Sequence, residues 1–317
     1  MTKPYLLSGS FAYDTVLNHP QTFSQRIKPD AIDKLNTSFH IDSVSESFGG
    51  CAGNISYNAA HLNDKPMLVG NLGMDCDRYL ACIEGWGLDT STLGVVFGEP
   101  TAHAWMLTDS SGNQISSFHA GAMKSSVQFN PFSTPLLWHL APEDPVNMVR
   151  LALLAREVGA EYFFDPGQAL PALLEGVADH IAPLKDVIGG AKGIFVNEYE
   201  ADQLFARLSL RDYLTNRYHF VVRTRGSAGV DLFHSGTATS LGPAPADSVV
   251  DPTGCGDAFR AGFLHAYVRE HSLESCVALG AVMGALAVGS EGGQSHAVTC
   301  DDVYARSERY RDIGHIV

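Results

Sequence analysis

Residues 251–263 read DPTGCGDAFRAGF, the densest run of small and acidic residues in the chain. Gly254, Cys255 and Gly256 stand directly before an apolar helical pattern made by Ala258, Phe259, Ala261, Gly262 and Phe263. At a helix start the backbone N–H groups lack intrahelical acceptors and carry roughly half a positive elementary charge. Glycines let an anion approach those groups closely. Asp257, in the first turn, puts a carboxylate beside the same spot. Alone it reads as a helix-capping acid. Two glycines and a second acid upstream, Asp251, favour an anion hole with an adjacent base.

Other stretches carry weaker signals of the same kind. In FGGCAGNISYNAA (48–60), Gly49 and Gly50 form a turn and Asn54 is either a helix cap or a polar contact. In VNEYEADQL (196–204), Asn197 and Glu200 have the spacing of a capping box. VVRTRGSAG (221–229) is an apolar strand ending in Thr224, Arg225 and Gly226; Arg225 either assists a phosphate or faces solvent. Asp14 follows the first apolar strand.

The elements that must position these residues follow from periodicity. Segments 5–10 and 66–73 read as strands, and 49–63 and 77–87 as a glycine turn with a helix and a second helix. Residues 13–48 alternate as a sheet with one wet face does, and 102–109 with 113–122 suit a hairpin around Ser110, Ser111 and Gly112. From about residue 135 strands alternate with helices near 144–158, 171–188 and from Glu198, and the chain ends in two helices near 256–270 and 273–289. Such alternation implies crossover units and a largely parallel sheet. The expectation is an α/β body (1–12, 49–89 and 122–317) with a small β lid (13–48 and 90–121).

In the order of the chain, these stretches resemble the signatures of the ribokinase-like (PfkB) carbohydrate and nucleoside kinases. DPTGCGDAF is similar to the family's carboxyl-terminal D-T-x-G-x-G-D, with Pro252 inserted and Cys255 where alanine is common. The family's fold has a mostly parallel central sheet flanked by helices and a small β-sheet lid. The resemblance implies Asp257 as general base on an acceptor hydroxyl, and the N–H groups of Gly254, Cys255 and Gly256 as the hole for the transferred phosphoryl group. Phosphoryl transfer depends on such positioning and charge stabilisation, and a positioned base contributes about 10²- to 10⁴-fold. It further implies that Asp14, Gly49, Gly50 and Asn54 hold a sugar diol. Thr224, Gly226 and Asn197 would serve ATP, Glu200 a magnesium ion through water, and Asp251 with the loop 289–296 a monovalent cation such as K+.

The segment NQISSFHAGAM (113–123) resembles the adenosine kinase branch, where Phe118 and Met123 would line a purine; Phe118 packing inside the lid is the rival reading. Arg260 stands where many sugar kinases have asparagine. A nucleoside, adenosine foremost, phosphorylated at its 5′-hydroxyl is therefore expected. The alternatives are a sugar kinase of the same fold and a catalytically silent nucleoside-binding regulator, against which Asp257 and its glycines speak. A formal net charge of −14 without a basic stretch argues against nucleic-acid binding. The longest charge-free apolar stretch, 276–290, is shorter than a membrane span. Six cysteines without C-x-x-C spacing read as reduced thiols of a cytoplasmic protein. No Walker loop, G-x-G-x-x-G after the first strand, or H-E-x-x-H is found. The lid sheet offers a surface for a homodimer.

Overall fold

Leu6–Ser8 forms β1, which has a parallel neighbour on either side and no exposed side chain. In this computed structural model, which describes residues 3–27, 33, 35–208 and 219–314, the chain then leaves the main sheet for β2 (Ala12–Asn18) and β3 (Ser43–Gly49). It returns through α1 (Cys51–His61), β4 (Met67–Leu72), α2 (Asp77–Gly85) and β5 (Leu93–Val95). The hairpin β6 (Ala102–Thr108) and β7 (Gln114–His119) follows. Strand and helix next alternate: β8 (Leu137–Leu140), α3 (Pro145–Glu157), β9 (Glu161–Phe164), α4 (Leu170–Leu174), α5 (Leu184–Gly190), β10 (Gly193–Asn197), α6 (Glu198–Arg207) and β11 (Phe220–Thr224). A hairpin, β12 (Val230–His234) and β13 (Thr237–Leu241), precedes α7 (Cys255–Tyr267), α8 (Leu273–Ala287) and α9 (Cys300–Gly314).

Among the described residues, nine strands join in the order β13-β12-β11-β10-β9-β8-β1-β4-β5. The strands from β11 to β5 run parallel, and those from β10 to β4 are largely buried on both faces, so they read as apolar runs rather than alternating ones. One face carries α1, α2, α7, α8 and α9; the other carries α3, α4, α5 and α6. The chain moves from one side of β1 to the other between β4 and β8. In open α/β sheets that reversal leaves a crevice beyond the carboxyl ends of the strands, where ligands bind. The lid is a second sheet in the order β3-β2-β6-β7.

Several sequence expectations are corrected. The helix expected over 171–188 is two helices, because Gly176 adopts φ +79° and Pro183 stands before α5. The lid boundary at residue 90 is too early, since β5 pairs with β4 in the main sheet. The hairpin 230–241 turns on Ser235 and Gly236, both at positive φ. A third helix, α9, follows the expected terminal pair and buries Val303, Ser307 and Tyr310 at helical spacing. Lid residues 28–32 and 34 lie outside the described residues.

Helices α7 and α8 approach closely because their contact is made by glycines. A Cβ at Gly280 would lie 2.8 Å from the Phe259 carbonyl oxygen, and one at Gly262 would lie 2.8 Å from Met283 Cγ. Gly280→Val should therefore lower unfolding stability by about 1–3 kcal/mol through overpacking. The expected readout is a lower urea midpoint with an unchanged slope.

Candidate active site

Helix α7 starts at the rim of the crevice on Gly254, whose φ of +75° turns the chain into the helix. A Cβ there would also lie 2.5 Å from Gly293 Cα, so the turn and the loop 289–296 touch backbone to backbone. Asp251 fastens the two: its carboxylate accepts from Thr253 N at 2.9 Å and Gly292 N at 2.8 Å. Both of its oxygens thus support the turn. The N–H groups of Gly254, Gly256 and Asp257 donate to no other described residue, whereas Cys255 N donates to Pro252 O at 3.2 Å. Of the expected trio, the Cys255 N–H is used by the turn, which leaves those of Gly254 and Gly256.

Asp257 stands in the first turn of α7. Its Oδ2 accepts from Asn54 Nδ2 at 2.8 Å, joining α7 to α1 across 203 residues of sequence. Crowding by protein atoms pushes its carboxyl up to about 7. The Asn54 bond and the Arg260 guanidinium oppose that rise, while the neighbouring Asp165 charge adds to it. Asn54 is therefore not a helix cap; it lies inside α1, which begins at Gly50 with φ +83°. The first N–H groups of α1 are taken by Ser10, through its Oγ to Cys51 N and its carbonyl to Ala52 N.

The lid brings its own residues to the same crevice. Strand register aligns Ser47, Asp14, Ala104 and Phe118 in one row on one face of the sheet. Gly49, at the end of β3, is required by this row, since a Cβ there would overlap the Asp14 carboxylate. Burial raises the Asp14 carboxyl above its ordinary value. Phe118 is 52% exposed, so it does not pack in the lid's own core. Met123 sits in the short turn Gly121–Lys124 that returns from lid to body, its carbonyl accepting from Asn147 Nδ2 at 3.1 Å.

At the other end, β10 and β11 place Asn197 and Thr224 directly opposite one another. Asn197 and Glu200 do form a capping box: Glu200 N donates to Asn197 Oδ1 at 2.8 Å, and Asn197 N and Nδ2 donate to the two Glu200 oxygens at 2.8 Å each. Burial and the Asp165 charge raise the Glu200 carboxyl. Among the described residues no group of three or more His, Cys, Asp or Glu side chains could hold a metal ion. This donor set fits a magnesium ion held by phosphates and water, with Glu200 reached through water, rather than one caged by protein. Gly226 has φ +52° and open space around it. Arg225, just after β11, is paired with Asp231 of the neighbouring β12 at 3.0 Å.

Two site residues were not singled out for this place by sequence. Arg260, one turn after Gly256, donates from Nε to Asp165 Oδ2 at 2.7 Å and from Nη2 to Oδ1 at 3.3 Å, and its Nη1 reaches Gly256 O at 3.2 Å. Burial weakens the guanidinium's hold on its proton, but the Asp165 charge more than compensates. Asp165 follows β9 directly, and an acid ending a buried parallel strand is the signal that could have found it.

The profile of the pfkB family carbohydrate kinases matches residues 10–300. A nucleoside kinase of Methanocaldococcus jannaschii is 32% identical over 285 residues, covering 87% of this chain and 90% of the relative. The solved nucleoside kinase of Burkholderia thailandensis in complex with inosine superposes with a TM-score of 0.82 at 32% identity, covering 96% of this chain and 97% of that one. Its complex with ADP-inosine gives a TM-score of 0.79 at 33% identity, covering 96% and 95%. No helix among the described residues is long and apolar enough to cross a membrane.

The Arg260–Asp165 pair is almost wholly buried, so removing one partner strands the other's charge. Arg260→Met should cost about 3–5 kcal/mol of stability, and adding Asp165→Leu should recover most of it. Chemical denaturation of the single and double variants checks this.

Proposed function

The chain belongs to the pfkB family of carbohydrate kinases, and we propose that it is a nucleoside kinase that moves the ATP γ-phosphoryl group to a 5′-hydroxyl, adenosine being the favoured acceptor. The observation that carries this reading is the inner lid row, in which an acceptor carboxylate, Asp14, and an exposed aromatic ring, Phe118, share one face. A ribose diol offers two donors to a carboxylate, and a purine offers a flat face to a ring. The inosine-bound neighbour described above supports a nucleoside in the same crevice.

In this reading Asp14, Gly49, Gly50 and Asn54 hold the ribose, and Phe118 and Met123 line the base. Asp257 takes the proton of the 5′-hydroxyl as the oxygen attacks the γ-phosphorus and the bond to the ADP leaving oxygen breaks. The free N–H groups at the start of α7 face the charge on the transferred group, where loss of one donor costs roughly 10²-fold or more. Thr224, Gly226 and Asn197 approach the nucleotide phosphates. Glu200 would hold a magnesium ion through water, and the ion would neutralise charge on those phosphates. A potassium ion beside Asp251 would steady the turn before α7. Closure of the lid excludes water and limits ATP hydrolysis.

The acceptor is tested with Mg-ATP and adenosine, inosine, cytidine, ribose and fructose. Highest kcat/KM on adenosine is expected; preference for a free sugar overturns the nucleoside reading. Asp257→Asn should lower kcat by about 10²- to 10⁴-fold while nucleoside binding persists. The base works ionised, so the wild-type rate should fall as pH drops through about 7. Undiminished turnover in Asp257→Asn would remove it from the mechanism.

On the lid face opposite Asp14, Val44, Trp105 and Ile115 are exposed, which supports a homodimer through the lid. Sedimentation should then report a dimer that Val44→Lys with Ile115→Lys converts to a monomer.

A further inference from the structure

Gln294, in the loop that touches the start of α7, donates from the same Nε2 to two acceptors, Asn54 Oδ1 at 2.9 Å and Tyr79 Oη at 3.1 Å. The polarity of this group is dictated from one end. The Gly49 carbonyl can only accept, so Tyr79, 2.5 Å away, must donate its hydroxyl hydrogen to it. The Tyr79 oxygen then presents a lone pair to Gln294, which must answer with its NH₂. The second hydrogen of that NH₂ goes to Asn54 Oδ1. Asn54 is left with its own NH₂ toward Asp257 Oδ2. Amide orientation is otherwise ambiguous by a half-turn; here a backbone carbonyl resolves it through three side chains.

The arrangement has a visible cost. Gln294 Oε1 is buried and finds no partner among the described residues. An unpaired buried acceptor is expensive, and turning the carboxamide over would set Gln294 Oε1 against the oxygens of both Tyr79 and Asn54. Gly293 leaves room for this group, because a Cβ there would lie 2.6–2.7 Å from the Asn54 carboxamide.

We propose that Gln294 is a positioning residue of the phosphoryl-transfer site: with Tyr79 it orients the Asn54 carboxamide so that N–H rather than oxygen meets Asp257, and ties that orientation to Gly49 at the end of a lid strand. This rests on the reading of Asp257 as the base. The consequence is an N–H that favours the ionised, proton-accepting form of the carboxylate. The other groups facing Asp257 are Cys51 from α1, Cys255 and Arg260 from its own helix and Asp165 from the end of β9. None of them is altered by a change at residue 294.

The test compares pH–rate profiles of kcat/KM with adenosine and Mg-ATP for wild type, Gln294→Met, Gln294→Glu and Asp257→Asn. Gln294→Met keeps the length and loses the donor. Gln294→Glu presents only acceptors and should turn the Asn54 oxygen toward Asp257. Removing a hydrogen bond to the charged form should raise the acid limb by about one pH unit in Gln294→Met, a loss of about tenfold at pH below the limb. A larger rise is expected in Gln294→Glu, whose added negative charge raises the limb as well, so the uncharged Met variant, with recovery toward wild type above pH 9, is the deciding one. Tyr79→Phe should move the limb in the same direction by less, and serves if a Gln294 variant fails to fold. A purely structural role would lower the melting temperature and leave the limb in place. An unmoved limb with Asp257→Asn inactive overturns the role of Gln294 alone; full activity of Asp257→Asn overturns both it and the base.

Discussion

The half-buried carboxylate of Asp257, crowded by protein atoms at the start of α7, is the constraint around which the rest is arranged. Protein crowding raises Asp257 to about 7, and the Asn54 bond and Arg260 keep it from rising further. Both compensating groups come from helices, one from α1 and one from its own next turn. Arg260 could not be there uncompensated, so Asp165 at the end of β9 holds it with two hydrogen bonds. The electrostatics of one side chain thus links α1, α7 and the centre of the sheet.

Topology makes that link feasible. All strands from β11 to β5 point their carboxyl ends the same way, so the ends of β1, β9, β10 and β11 reach one rim. Helices begin at that rim, and their unpaired N–H groups gather there. The two helix starts are treated differently. Ser10 consumes the donors of α1, whereas α7 keeps those of Gly254, Gly256 and Asp257. Close backbone approach between Gly254 and Gly293 leaves no room for a side chain beneath the turn. The lid completes the crevice by placing Asp14 and Phe118 in one row of a sheet whose register allows no other pairing of its faces.

Much of this was legible from local pattern. The glycines and acid of DPTGCGD marked a helix start because that depends on adjacent residues. Buried parallel strands announced themselves as apolar runs, and the lid hairpin as alternation around a Ser-Ser-Gly turn. Where local rules compete, pattern was weaker. The segment 171–188 has helical composition, but Gly176 and Pro183 divide it. β5 is three residues long, too short for periodicity to assign it to one sheet or the other. Asn197 and Glu200 were legible as a capping box and are one; their approach to the Asp165 and Arg260 charges was not.

The sequence by itself determined the chemical parts: a carboxylate one turn into a glycine-led helix, an acid after the first strand, and a strand–helix rhythm that demands a parallel sheet. These are set by neighbours within a few residues, where backbone geometry and propensity act. Only the tertiary structure decided how the parts meet. Asn54 looked as much a helix cap as a contact until α1 and α7 were brought side by side across 203 residues. The Cys255 N–H looked free until Pro252 O was found beside it. Gln294 had no meaning until Tyr79 and Asn54 closed around it. Hydrogen-bond polarity and charge compensation depend on distances of about 3 Å between groups far apart in the chain, and packing alone fixes those.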